Sequence, residues 1–223
     1  MAMTKMSKKR LQPPASAAPT AAARAILDAA ERLAQTRGYN GFSYADVAAQ
    51  LSVTKASLHY HFPSKAELGR ALIERYHVGF VEALATIDRE VDEPCGKLER
   101  YVALYDAVVR NDRMCLCGML AAEHATLPEA MQLQLQLFFA ANERWLTSVL
   151  EEGCRVGRFA FKERANERAR VLLGALEGAM LVARSFGEPQ RFRASADCVL
   201  ADLCKSPARA LRATPARRRA RSD

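Results

Sequence analysis

Two short stretches concentrate the side chains able to do chemistry. His59-Tyr60-His61-Phe62 places two imidazoles and two aromatic rings in four residues, half of the four histidines in the 223-residue chain. MCLCGMLAAEH, Met114 to His124, gathers Cys115, Cys117, Glu123 and His124. A histidine pair suggests metal ligation or proton transfer, but side chains at i and i+2 diverge on a helix and no third ligand lies nearby in sequence. Cys115 and Cys117 match neither zinc-finger nor redox-helix spacing. Thiol or soft-metal sensing by them needs an exposed, electropositive thiolate, and Arg113 is a nearby cation in otherwise apolar surroundings. Catalysis by Glu123, His124 and the thiols lacks a nucleophile–base–orienter set, a glycine-rich phosphate loop or an HExxH pair. No enzyme, cofactor or metal site is expected.

Composition points to an external polyanion instead. The net charge is +8, but it is unevenly spread. Residues 1–19 carry four basic residues and no acid, and residues 205–223 carry seven basic and one acidic, so the two ends together hold +10. Residues 20–77 hold +2, whereas residues 78–204, with fifteen basic and nineteen acidic residues, hold −4. A basic N-terminal third and basic tails on an acidic body suit a polyanion bound at one end. With no apolar leader and no apolar run of roughly 18 residues, a cytoplasmic chain without a membrane partner is expected. The six cysteines then read as free thiols.

The elements that must position these groups are helical throughout. Ile26, Leu27, Ala30, Leu33 and Ala34 recur with period 3.6, and Gly38 sits where a C-cap glycine belongs. Ser43 and Asp46 form a capping-box pattern before Val47, Ala48 and Leu51. Thr54 offers a new N-cap three residues later, Pro63 ends the helix after Phe62, and Ser64-Lys65-Ala66-Glu67 opens a long helix through Leu68, Leu72, Tyr76, Phe80, Leu84 and Ile87. Further helices are predicted around Leu98–Val109, Gly118–Leu127, Met131–Arg155, Ala165–Ser185 and Phe192–Cys204. No strand is expected. Residues 1–19 and 205–223 read as basic tails of disordered composition.

Two short helices joined by about three residues and packed on a preceding helix describe a helix-turn-helix. GYNGFSYADVAAQLSVTKASLHYHFPSKAELGRAL resembles the TetR/AcrR family of bacterial transcription regulators over roughly residues 20–77. The resemblance rests on the glycine after the first helix, the small residue and Val in the turn, the ring-bearing residues before Phe62, and F-P-x-K-x-x-L. It implies an all-α homodimer: a helix-turn-helix DNA-binding domain over 20–66, and a ligand-binding and dimerisation domain over 67–204. It further implies repression from a palindromic double-stranded operator, relieved by a small molecule. By position, Ser43 and Tyr44 should meet DNA at the start of the second helix. Thr54, Lys55, Ala56, Ser57, His59 and Tyr60 fall on the recognition helix, and His61 and Lys65 at phosphate-facing positions. Two departures stand out: Ser52 replaces the usual turn glycine, which predicts a strained backbone angle there, and His59 replaces a usual Tyr.

The C-terminal body is less specific. Arg168 to Arg184, RARVLLGALEGAMLVAR, intersperses glycine and alanine with large aliphatics. With the last helix it resembles the family's dimer interface, for which Leu173, Leu176, Met180, Arg184, Phe192 and Val199 are candidates. Candidate pocket liners are Tyr101, Tyr105, Met114, Met119, Glu123, His124, Phe138, Phe139, Asn142 and Trp145. Two other readings compete: a thiol- or metal-responsive regulator using Cys115 and Cys117, and a non-specific architectural DNA binder driven by the arginine-rich tail.

Overall fold

The computed structural model describes residues 20–204. Both predicted basic tails, 1–19 and 205–223, lie outside the described residues. Among the described residues all regular structure is helical: α1 (Ala21–Arg37), α2 (Tyr44–Leu51), α3 (Lys55–His61), α4 (Lys65–Glu90), α5 (Pro94–Val109), α6 (Leu116–Ala122), α7 (Glu129–Arg155), α8 (Ala165–Phe186) and α9 (Gln190–Cys204). A 3-10 turn, His124–Thr126, follows α6.

Local chemistry sets the N-terminal boundaries. Thr20 caps α1 by accepting the Ala23 N–H at 3.1 Å. Gly38 ends it with φ +80°, a conformation that a Cβ resists. Asp46 Oδ2 accepts the Ser43 N–H at 2.7 Å, completing a reciprocal capping box at α2. Ser52 stands in the left-handed region, φ 55° and ψ 40°, as its replacement of a turn glycine predicts. Thr54 and Ser64 then cap α3 and α4 by accepting the Ser57 and Glu67 N–H groups.

Packing takes over beyond α4. Helices α7, α8 and α9 pack side by side, with α4 and α5 against α7 and with α5 also against α9. One continuous apolar core runs from Ile26 through Leu58, Leu98 and Phe138 to Leu203. The helix predicted over Gly118–Leu127 is instead α6 plus the 3-10 turn. Cys115 Sγ caps α6 by accepting the Gly118 N–H, so the helix starts earlier. Its early stop accompanies a turn in which Thr126 Oγ1 donates back to the Glu123 carbonyl at 2.9 Å.

Candidate nucleic-acid interface and effector cleft

Helix α3 buries Leu58 completely and presents its opposite face to solvent. Phe62, half-buried, closes the small core with Val47, which is fully buried. Thr54, Lys55, Ala56, His59 and Tyr60 are exposed, and Ser57 and His61 are half-exposed. Tyr60 is 68% exposed, a large ring held out in water without an apolar neighbour to cover it. The His61 ring braces it edge-on at 5.0 Å. His59 Nδ1 lies 3.1 Å from the Pro63 carbonyl, an acceptor that calls for the proton on Nδ1. Lys55 makes no ion pair among the described residues. A short helix bearing a cation, small residues, imidazoles and an outward aromatic ring has the size and polarity to enter a major groove.

Two expected DNA contacts are turned inward. Tyr44 is 8% exposed, meets the His59 ring at a 49° tilt with centroids 4.7 Å apart, and donates its hydroxyl to the Phe62 carbonyl at 2.7 Å. Burial raises its pKa well above the ordinary tyrosine value. It therefore fastens α2 to the end of α3. Lys65 donates to the carbonyls of Tyr39 and Phe42, each at 2.6 Å, and sits over both rings. Desolvation lowers its pKa. Its ammonium pairs with the carbonyls of two buried residues in the loop after α1, so a phosphate is not needed to explain a cation at a helix N-terminus. Ser43 stays exposed, but its hydroxyl is committed to Asp46 Oδ2 at 2.6 Å. The same hydrogen bonds hold the Asp46 carboxyl below its usual pKa.

The expected ligand liners split in the structure. Tyr101, Tyr105, Phe138 and Asn142 are buried in the core between α4, α5 and α7. Tyr101 donates to Asn142 Oδ1 at 2.8 Å, and Asn142 Nδ2 donates to the Phe138 carbonyl at 2.9 Å. Trp145 stacks on Tyr101 at 5.3 Å and donates to Asp88 at 2.9 Å. These polar groups satisfy one another, so this set reads as a packed and self-sufficient core. Met119 packs half-buried against that core. Glu123 has a different partner: it accepts the Tyr39 N–H at 2.6 Å and the Asn40 N–H at 3.3 Å. A Cβ at Gly38 would come within 2.6 Å of Glu123 Oε1, so that glycine admits the carboxylate.

Two clefts of about 310 Å³ each open instead beside α6 and α7, sharing Ala121, Phe139 and Glu143. Met114 and Phe139 line the cleft toward α8, and His124 and Phe139 line the other. Sequence reasoning missed Glu177 on the floor of the α8 cleft. Its signal was available: it is the single charged residue between Val171 and Ala183. Burial raises its pKa from 4.5 to about 7. Cys115 and Cys117 lie beside it, and burial followed by the Glu177 charge pushes both thiols well up. Such buried thiols stay protonated, which removes the basis for thiolate sensing. No cluster of three metal-ligating side chains occurs among the described residues.

The expected dimer residues also need revision. Leu173, Leu176, Met180 and Phe192 are no more than 5% exposed within one chain, filling its own core. Val199 is half-buried. Arg184 donates to the carbonyls of Gln35 at 3.1 Å and Thr36 at 2.5 Å, capping the end of α1. The outward stripe of α8 is Val171, Gly174, Gly178, Val182 and Phe186; the three large side chains are 59%, 54% and 58% exposed. Open space surrounds Gly174 and Gly178.

Fold and exposed α3 define a helix-turn-helix DNA-binding protein with a larger helical body. The profile of bacterial regulatory proteins, tetR family, matches residues 26–72. The nucleoid occlusion factor SlmA of Vibrio atlanticus (strain LGP32) is 31% identical over 157 residues, covering 68% of this chain and 77% of that protein. The HTH-type transcriptional repressor DhaR of Mycobacterium sp. (strain GP1) is 24% identical over 149 residues, 65% of this chain and 73% of that one. A TetR-family transcriptional regulator from Agrobacterium tumefaciens has a crystal structure that superposes with TM-score 0.80 and 32% identity, covering 84% of this chain and all of that one. The chain belongs to the TetR family of DNA-binding transcription regulators. No helix among the described residues is long and apolar enough to cross a membrane.

Proposed function

We propose that the chain is a homodimeric repressor that binds a palindromic operator and releases it when a small molecule enters the C-terminal body. Residues 20–66 form the DNA-binding unit and residues 67–204 the effector and dimer unit. The exposed face of α3, with Tyr60 standing out beside Lys55 and His61, carries this reading. The apolar stripe Val171–Phe186 supports a two-fold partner, because glycines at 174 and 178 let two helices approach closely. The double grip on the end of α1, by Glu123 after α6 and Arg184 on α8, supports a mechanical link from body to DNA-binding unit.

The test is a binding titration of the full chain on DNA from its own upstream region and on shuffled DNA of equal length. Specific binding in two half-sites, weakening steeply as salt rises because lysines and arginines displace counterions, is expected. Equal affinity for the two DNAs sinks the reading.

A further inference from the structure

We infer that the cleft among α6, α7 and α8 is a site for an organic ammonium ion, a protonated amine carried on an apolar body, with Glu177 as its anchor. This rests on the reading of the chain as a ligand-responsive regulator and adds the chemistry of the ligand. Met114, Ala121, Phe139, Leu173 and Leu181 give the cleft apolar walls, enough for a ring or short chain. Glu177 lines it as well, and its Oε1 is shielded from solvent with no hydrogen-bond partner among the described residues. The other oxygen points at Gly118, where a Cβ would collide with it, so α6 crosses directly over the carboxylate. The neighbouring Cys115 thiol is a weak donor for a carboxylate.

A carboxylate with one oxygen shielded from water and unpaired is costly to keep ionised. A ligand ammonium supplies both the missing donor and the opposite charge, where an alcohol supplies only the donor and a carboxylate is repelled. At the rim, Arg170 is held by Glu143 at 3.2 Å, so that cation is already compensated and does not turn the cleft toward anions. Position gives the site leverage. Glu177 lies seven residues, about two helical turns, before Arg184, and α6 leads into Glu123. A ligand wedged between α6 and α8 therefore acts on both arms that hold the end of α1.

Binding should also respond to proton concentration. Tyr76 from α4, Tyr101 and Tyr105 from α5, and Cys115 and Cys117 from α6 face Glu177, and burial pushes all of them upward, away from neutrality. Glu143 from α7 and Arg170 from α8 stand at the rim, and Glu31 from α1 lies near Cys117. Glu177 itself gives up its proton near pH 7, so an amine binds more tightly as pH rises through that value.

The experiment is calorimetry of the full chain at pH 8 with 4-phenylbutylamine, 4-phenylbutanol and 4-phenylbutanoate. The amine should bind at least about tenfold more tightly than the other two. Glu177→Gln should erase that preference and the rise in affinity between pH 6 and 8. Ala121→Phe, which fills the cleft and leaves Glu177 itself in place, should abolish amine binding in a protein of unchanged helicity. Equal binding of amine and alcohol, or amine binding undiminished in either variant, overturns the site. Preference for upstream DNA, measured separately on the unmodified chain, tests the regulator reading independently of these results.

Discussion

The DNA-binding end and the effector cleft treat polar groups in opposite ways. From α1 to the start of α4 they are paired: Ser43 with Asp46, Tyr44 with the Phe62 carbonyl, Lys65 with two carbonyls and two rings. That leaves a rigid platform on which Tyr60 and Lys55 are free to meet something outside. Between α6 and α8, the half-buried Glu177 keeps a shielded oxygen with no hydrogen-bond partner among the described residues, and the Cys115 thiol is only a weak donor to its carboxylate. One region is satisfied without a partner. The other leaves a shielded acceptor without a donor. The contrast suits a rigid DNA reader coupled to a responsive body.

The contrast predicts stability changes of opposite sign. The largest is Leu58→Ala. Leu58 is completely buried in the small core, so its truncation should cost about 2–5 kcal/mol and loosen α1–α3. Urea unfolding followed by circular dichroism reads this directly; a loss below about 1 kcal/mol would mean that α3 is not the keystone of that platform.

Next comes Glu177→Gln, which should stabilise. The folded-state pKa is raised from 4.5 to about 7, so between those values the unfolded chain has released a proton that the folded chain still holds. This group's contribution to stability therefore falls as pH climbs from 4.5 to about 7, reaching a penalty of about 3 kcal/mol above it. The variant should melt higher than the native chain at pH 8 and alike at pH 4.5. A variant that melts lower at pH 8 would show Glu177 to be satisfied in the free protein, and the contrast between the two regions would fail.

The smallest effect is at Ser52. Its left-handed backbone is strained for a residue with a Cβ, so Ser52→Gly should gain roughly 0.5–1 kcal/mol without altering DNA preference. Thermal melts of the two proteins check it, and a destabilised glycine variant would place the serine hydroxyl in a role of its own.

The same difference explains what the sequence made legible. The helices α1–α4 are bounded by short-range signals: Thr20, Ser43, Thr54 and Ser64 as caps, Gly38 and Pro63 as stops, and Ser52 in the turn. Each acts within a few residues, so each can be read from the chain alone. The C-terminal body depends on which face of each helix meets which neighbour. Leu176 and Val182 are both apolar on α8, yet one is buried and the other exposed, and only the packing of α7 and α9 decides between them. Tyr101 and Asn142 are candidate liners by their place in the C-terminal helices alone; in the fold their polar atoms meet each other, 41 residues apart. The partners of Lys65 are hidden in the sequence for a related reason, since its carbonyl acceptors lie 23 and 26 residues earlier.

If α3 reads DNA through its exposed face, Tyr60 is the side chain to remove, because its ring supports little of the fold. Binding of the full chain and of Tyr60→Ala should be titrated on upstream and shuffled DNA, with unfolding curves recorded for both proteins. The account predicts an unchanged unfolding curve and a loss of at least about tenfold in preference for the upstream DNA, the scale of one good base contact. Full preference retained by a folded Tyr60→Ala protein, and again by Lys55→Ala, would contradict it.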